Sequence, residues 1–220
     1  PRVREIAHSY DGVYYAAGVH PMSAAEHAPV TVSELVELAE DPLFVGIGET
    51  GLDYHYTADS AELQKTSLRI HIQAAQETGL PLIIHARGAD DDMARILAEG
   101  MEAKPYTCVM HCFSSSADLA QAALDLGFYL SVSGIAAFPK STELREIFAN
   151  APVDRILVET DAPYLLPRTV RPMPSHRRNE PMYLKHIVEE LARDRGETPE
   201  QTAAISTATS RSFFGLPVPA

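Results

Sequence analysis

Six short apolar runs punctuate the chain: 13–19 (VYYAAGV), 44–48 (FVGIG), 81–84 (PLII), 108–110 (CVM), 128–132 (FYLSV) and 156–158 (ILV). Runs this short, without polar alternation, predict strands covered on both faces. Between them the apolar spacing changes to that of helices. Helices are predicted at 33–41 behind Thr31 or Ser33 as cap, at 60–78 up to Gly79, at 89–99 up to Gly100, at 116–126 up to Gly127, and at 141–149 toward Pro152. Two more close the chain, at 180–195 before Gly196 and at 199–213 before Gly215. Strand and helix alternate, the pattern of a parallel α/β sheet. No interior stretch reads as a linker, so residues 1–220 are expected to form one domain. The Pro- and Arg-rich segment 163–181 reads as an active-site loop.

Chemistry-bearing side chains follow these runs. His20 follows the first, Glu49 the second, His85 the third, His111 the fourth and Asp161 the sixth. The fifth ends in Ser131-Val132-Ser133-Gly134, with no strong ligand. In parallel sheets and barrels, function gathers at the carboxyl ends of the strands. A buried run that ends in a carboxylate needs compensation, because an unpaired buried carboxylate is costly. A cation at a shared rim would compensate Glu49. A single histidine after a strand is more often structural than a ligand; the repeated register carries the reading here. His20, followed by Pro21, has the alternative of a turn residue. Glu159 shares strand parity with Asp161 and either competes with it or serves as a buried hydrogen-bond acceptor. Cys112 reads as a small packed thiol beside His111. His8, His27, His55, His71, His176 and His186 lack the register and read as surface or helix residues, with His71 on the sheet-facing side.

A Glu, His, His, Asp set suits a divalent ion of intermediate hardness, one or two ions of the Mg, Mn or Zn type. A carboxylate among histidines can bridge two ions ~3.5–4 Å apart, a recurring arrangement for phosphodiester hydrolysis. The net charge of −12 argues against a protein that coats nucleic acid by bulk electrostatics, and leaves room for an enzyme that grips one phosphate through metal. Arg168, Arg171, Arg177 and Arg178 crowd one segment, either as a solvated face or as a phosphate-facing loop. Arg87, Arg177 and Arg178 are the candidate phosphate contacts. A hydrophobic content of 45% permits a sizeable core. No apolar run approaches the ~20 residues of a membrane span. Cys108 and Cys112 would lie about 13 Å apart in an extended strand, too far for a disulfide. Free thiols point to the cytoplasm.

The stretches GVHP (18–21), GETGLDY (48–54), IIHAR (83–87), MHCFSSS (110–116), ETDAPYLLPR (159–168) and RRNEP (177–181) closely resemble the TatD family of metal-dependent deoxyribonucleases. The resemblance spans essentially the whole chain. It implies a TIM barrel of the metallohydrolase type and a one- or two-metal site that hydrolyses DNA, often as a 3′→5′ exonuclease. By motif position it implies that Glu49 bridges the metals, that His85 and His111 complete the second metal's ligands, and that Asp161 ligates the first metal and helps activate water. DNA is the implied partner, and the complete protein is expected to be a monomer. One departure stands out: the family's opening His-x-His is absent, and six strand-helix units are visible where a barrel has eight. The expectation is therefore an N-terminally incomplete barrel, short by roughly forty residues on the usual length of such units. Such a chain would bind at most one ion tightly and turn over little. Two other functions compete. A related hydrolase of C–N, lactone or phosphotriester bonds is disfavoured by Glu49 standing where a carboxylated lysine would lie and by the arginines. A non-catalytic fragment is favoured by the missing His-x-His.

Overall fold

The computed structural model describes residues 2–26, 28–170, 172–173 and 175–217. Six strands are hydrogen-bonded in chain order, β1-β2-β3-β4-β5-β6. They are β1 (Tyr15–Ala17), β2 (Phe44–Asp53), β3 (Leu82–Arg87), β4 (Cys108–Met110), β5 (Tyr129–Val132) and β6 (Ile156–Val158). Strands in chain order with helices between them make the α/β class expected from the alternation, with six strand-helix units. By contact the chain divides into two units, one ending at Val109 and taking in Phe213–Pro217, the other running Met110–Ser212.

In the first unit, β1, β2 and β3 pair in parallel, with Tyr15 opposite Phe44 and Ile47 opposite Leu82. Helix α1 (Arg2–Ser9) was not foreshadowed by the apolar pattern, since it buries only Ala7. It is held by polar contacts instead. Arg4 and His8 both meet Asp41 Oδ2 at 2.8 Å, and Tyr15 donates its hydroxyl to the same oxygen at 2.9 Å. His8 and the Leu43 N–H are the leading causes that hold the Asp41 carboxyl below the ordinary range. Helix α2 (Val32–Leu38) resolves the choice of cap in favour of Thr31. Its Oγ1 accepts the Glu34 N–H at 3.3 Å, and Glu34 Oε2 accepts the Thr31 N–H at 2.8 Å, a reciprocal capping box. Helix α3 (Ala61–Thr78) buries Gln64, Leu68, His71, Ile72 and Ala75, one stripe at helical spacing, and stops at Gly79 with φ 73.

Helix α4 (Asp90–Ala103) does not stop at Gly100 as expected. A Cβ at that position would lie 3.0 Å from Ile72 Cγ2 and 3.1 Å from the Tyr106 ring, so this glycine serves close packing rather than termination. The core of this unit is Ile47, Leu52, Leu68, Leu82, Ile84, Met93, Ile96 and Leu97, all essentially inaccessible.

The second unit holds α5 (Ala117–Asp125), α6 (Thr142–Asn150) and α7 (Leu184–Arg195), with α8 (Pro199–Phe214) closing the chain. β5 and β6 pair in parallel, Leu130 opposite Ile156. Ser116 caps α5 by accepting the Leu119 N–H at 3.3 Å. Helix α7 starts later than 180, because Pro181–Tyr183 form a 3-10 turn first, and ends at Gly196 with φ 70. Arg195 donates to the carbonyls of Phe148, Ala149 and Ala151, closing the end of α6 with a cation where the helix dipole is negative. Phe113, Phe128 and Phe148 fill this core. No helix among the described residues is long and apolar enough to cross a membrane.

Candidate metal centres

Glu49 owes its position to an irregularity in β2. Gly48 pairs with Ile83 and Thr50 with Ile84, so the register shifts at Glu49. A shift of this kind re-aims a side chain. β2 therefore does not end at Gly48, as expected, but runs on to Asp53. Two glycines and a glutamate weaken the strand signal in that stretch, yet the ladder with β3 continues through it. Gly51 (φ 142) permits the approach of the two strands; a Cβ there would lie 1.9 Å from the His85 carbonyl oxygen. His85 likewise lies within β3 rather than at its end.

Glu49 Oε1 stands 3.1 Å from His85 Nδ1 and 3.6 Å from His20 Nε2. The two imidazole rings meet edge to face, centroids 4.6 Å apart. On its far side His85 Nε2 lies 3.0 Å from Oδ2 of Asp53, which is fully buried. Both neighbours are carboxylates and only accept; Asp53 is buried away from solvent whereas Glu49 is part-exposed, so the proton is assigned to Nε2 and Nδ1 is the nitrogen turned toward Glu49. Asp53 also accepts the Tyr56 N–H on Oδ1 at 2.8 Å. Burial raises the Asp53 carboxyl, but the Tyr56 N–H and then His85 outweigh it and leave it below the ordinary range.

His20 is more than a turn residue. Its Nδ1 accepts the Met22 N–H at 3.3 Å, opening a 3-10 turn at Pro21, while Nε2 faces Glu49. The backbone before it is pinned by His71, whose Nε2 accepts the Val19 N–H at 3.0 Å and whose Nδ1 donates to the Ser67 carbonyl at 2.7 Å. Burial lowers the His71 pKa, which keeps this ring neutral and able to accept. Ligand atoms of His20, Glu49 and His85 all lie within 4.8 Å of one another.

The second unit repeats the device. His111, directly after β4, has Nδ1 2.6 Å from Glu159 Oε2 and Nε2 3.5 Å from Asp161 Oδ1. Donation from Nδ1 to Glu159 leaves Nε2 facing Asp161. Glu159 thus supports an imidazole rather than displacing Asp161. Its Oε1 is buried with no hydrogen-bond partner among the described residues, an orphaned acceptor suited to a cation. His111, Glu159 and Asp161 also hold ligand atoms within 4.8 Å of one another. Asp161 adopts φ 54, a left-handed conformation that Asp tolerates better than most residues. The RRNEP segment is stapled to this turn: the Asn179 side chain donates to the Thr160 carbonyl, and the Asn179 N–H donates to Pro163 O at 3.0 Å. Cys112 is a packed thiol as expected, Sγ 3.0 Å from Ser133 Oγ, and both cysteines are free.

Each unit thus presents a histidine whose outer nitrogen is held by a carboxylate while its inner nitrogen meets a second carboxylate. Oriented imidazole and carboxylate oxygens of this kind fit a divalent ion. Asp53 is not marked by the apolar pattern, because it lies four residues past Glu49; the continuation of β2 beyond the register shift at Glu49, regular from Thr50 to Asp53, is what brings it beside His85. Among the arginines, Arg178 lines a cavity of about 440 Å³ with Ala162, Pro163, Asn179, Glu180 and Pro181. Arg177 is exposed in the same segment, at φ 50. Arg168 instead lies over the Phe138 ring at 4.9 Å, and Arg87 over the Tyr56 ring at 4.6 Å. Arg171 and His27 lie outside the described residues.

Asp53→Asn tests the outer support. A carboxylate serves two donors, Tyr56 N–H and His85 Nε2–H; an amide must turn its NH₂ toward one of them. Metal affinity is expected to fall about 10–100-fold, the usual effect of losing such a partner. Titration of metal-free protein with Mn²⁺ or Zn²⁺ measures it, and unchanged affinity would leave Asp53 a purely structural residue.

The family model described as TatD related DNase matches residues 1–215. The "3'-5' ssDNA/RNA exonuclease TatD" of Salmonella typhimurium is 36% identical over 211 residues, 96% of this chain and 81% of that protein. The "Uncharacterized metal-dependent hydrolase YabD" of Bacillus subtilis is 37% identical over 216 residues, 98% of this chain and 82% of that protein. Among solved structures, the YJJV TatD homologue of Escherichia coli superposes with a TM-score of 0.87 at 27% identity, over 98% of this chain and 82% of that one. The chain belongs to the family of TatD-related DNases.

Proposed function

We propose that this protein is a metal-dependent 3′→5′ exonuclease of single-stranded DNA, with Glu49, His85, His111 and Asp161 as its metal-binding and catalytic residues. The observation that carries the reading is the repeated carboxylate–histidine–carboxylate arrangement, Asp53–His85–Glu49 in one unit and Glu159–His111–Asp161 in the other. Glu49 Oε1 and His85 Nδ1, joined by His20, would hold a divalent ion of the Mg, Mn or Zn type. His20 must give up its Nε2 proton to join them, whereas His85 already has its proton on the far nitrogen. His111 Nε2 and Asp161 offer the second ligand group. A bound divalent ion supplies positive charge that polarises a phosphodiester and makes water more acidic. Asp161, part-exposed, would accept the proton that water loses as its oxygen bonds to phosphorus; the P–O3′ bond to the rest of the strand breaks, and the departing 3′ oxygen takes a proton from solvent. Arg177 and Arg178 offer their charges to substrate phosphates. Free thiols at Cys108 and Cys112 suit a reducing compartment such as the cytoplasm.

The 3′→5′ direction and the single-stranded substrate follow the relatives' names, which give both DNA and RNA, whereas DNA follows the family's description; one experiment tests direction, sugar and metal requirement together. Single-stranded DNA and RNA oligonucleotides labelled at the 5′ end are incubated with Mg²⁺, Mn²⁺ or EDTA. Shortening from the 3′ end, only with metal, is the expected result. Equal activity in EDTA would overturn the reading.

A further inference from the structure

Beside the Glu49–His85 group lies a cluster the proposed chemistry leaves unused. The turn after Asp53 presents His55 and Tyr56, with Tyr56 58% exposed. The Arg87 guanidinium sits 4.6 Å from the Tyr56 ring centroid, and the His55 ring meets Tyr56 edge to face at 4.5 Å. Tyrosine, histidine and arginine are the side chains on which unstacked bases lie. Arg87 follows His85 by two residues on β3, so the two side chains leave the same face of the strand, about 7 Å apart.

The backbone beneath these exposed groups is rigid. Gln64, fully buried, accepts the Asp53 N–H at 2.8 Å and donates to the carbonyls of Asp53 and Thr57 and to the Ser60 hydroxyl. Asp53 itself holds the Tyr56 N–H with one oxygen and His85 with the other. One buried carboxylate therefore registers both the imidazole and the aromatic turn. A turn braced from inside and aromatic on its outside is preorganised for a flat ligand.

We propose that Tyr56, with His55 and Arg87, is a stacking platform for a nucleobase flanking the phosphodiester that is cleaved. This rests on the nuclease reading and specifies its substrate: a strand whose end bases are unpaired and free to stack. Stacking on this platform is indifferent to which base is presented, because every base has a flat face.

The chain contains no tryptophan, so Tyr56→Trp introduces a single indole. Titration of this variant with a short oligothymidylate in EDTA is expected to quench its emission, and an abasic strand of the same length is expected not to. Kinetics give the second measure. For the unmodified protein with metal, removing a base on either side of the terminal linkage should lower kcat/KM roughly 5–150-fold, the worth of one stacked base. Tyr56→Ala should show that loss on the normal strand and no further loss on the abasic one, while Tyr56→Phe behaves as the parent. Equal quenching by both strands, or an undiminished base dependence in Tyr56→Ala, would overturn the platform. If the parent cleaves no nucleic acid with any metal, the nuclease reading fails, and the quenching titration still decides whether bases stack here.

Discussion

Asp161→Asn is expected to lower turnover by about 10²–10⁴-fold, the range for loss of a positioned general base. Asparagine keeps the size of the side chain and can donate an amide N–H to His111 Nε2, the bare nitrogen, which lies 3.5 Å from Asp161 Oδ1. It cannot take a proton from water at neutral pH. The backbone should not suffer, because Asp161 sits at φ 54 and asparagine is at home in that left-handed region. A thermal melt close to the parent's, with turnover collapsed, would separate chemistry from folding. A loss below tenfold would move the proton-accepting role elsewhere in the site.

Glu49→Gln is the second large effect. The substitution keeps shape and removes the negative charge that faces His85 Nδ1 at 3.1 Å and His20 Nε2 at 3.6 Å. Metal affinity should fall by more than the ~10–100-fold typical of an outer partner, because a ligand rather than its support is lost. Nuclease activity should fall with it and return in part when metal is raised. Metal content by mass spectrometry after dialysis, beside the activity, reads this out. Undiminished metal binding would mean that Glu49 is not a ligand and serves only as a negative charge beside the two histidines.

Much of the molecule is legible from local rules. The six apolar runs match the six strands because a strand buried on both faces must be apolar at every position. Helix ends follow caps that act within a turn: Thr31 with Glu34, Ser116 with Leu119, Gly79 and Gly196 at positive φ. The departures have tertiary causes. Gly100 fails to stop α4 because Ile72 and Tyr106 press against it, and α1 forms on the strength of Asp41, more than thirty residues away.

The same division runs through the candidate site. Sequence alone determined which residue types follow which strands, since Glu49, His85, His111 and Asp161 each stand at or just beyond an apolar run. It also determined the divalent-ion chemistry those side chains suit. Only the tertiary structure decided how they are aimed. The register of β2 against β3 shifts at Glu49, and that shift comes from the pairing of two strands, not from the residues beside it. The proton on His85 is placed by Asp53, 32 residues distant in sequence, and that on His111 by Glu159. A histidine's proton follows the strongest acceptor within hydrogen-bond reach, and which acceptor comes within reach is settled by chain packing rather than by neighbours in sequence.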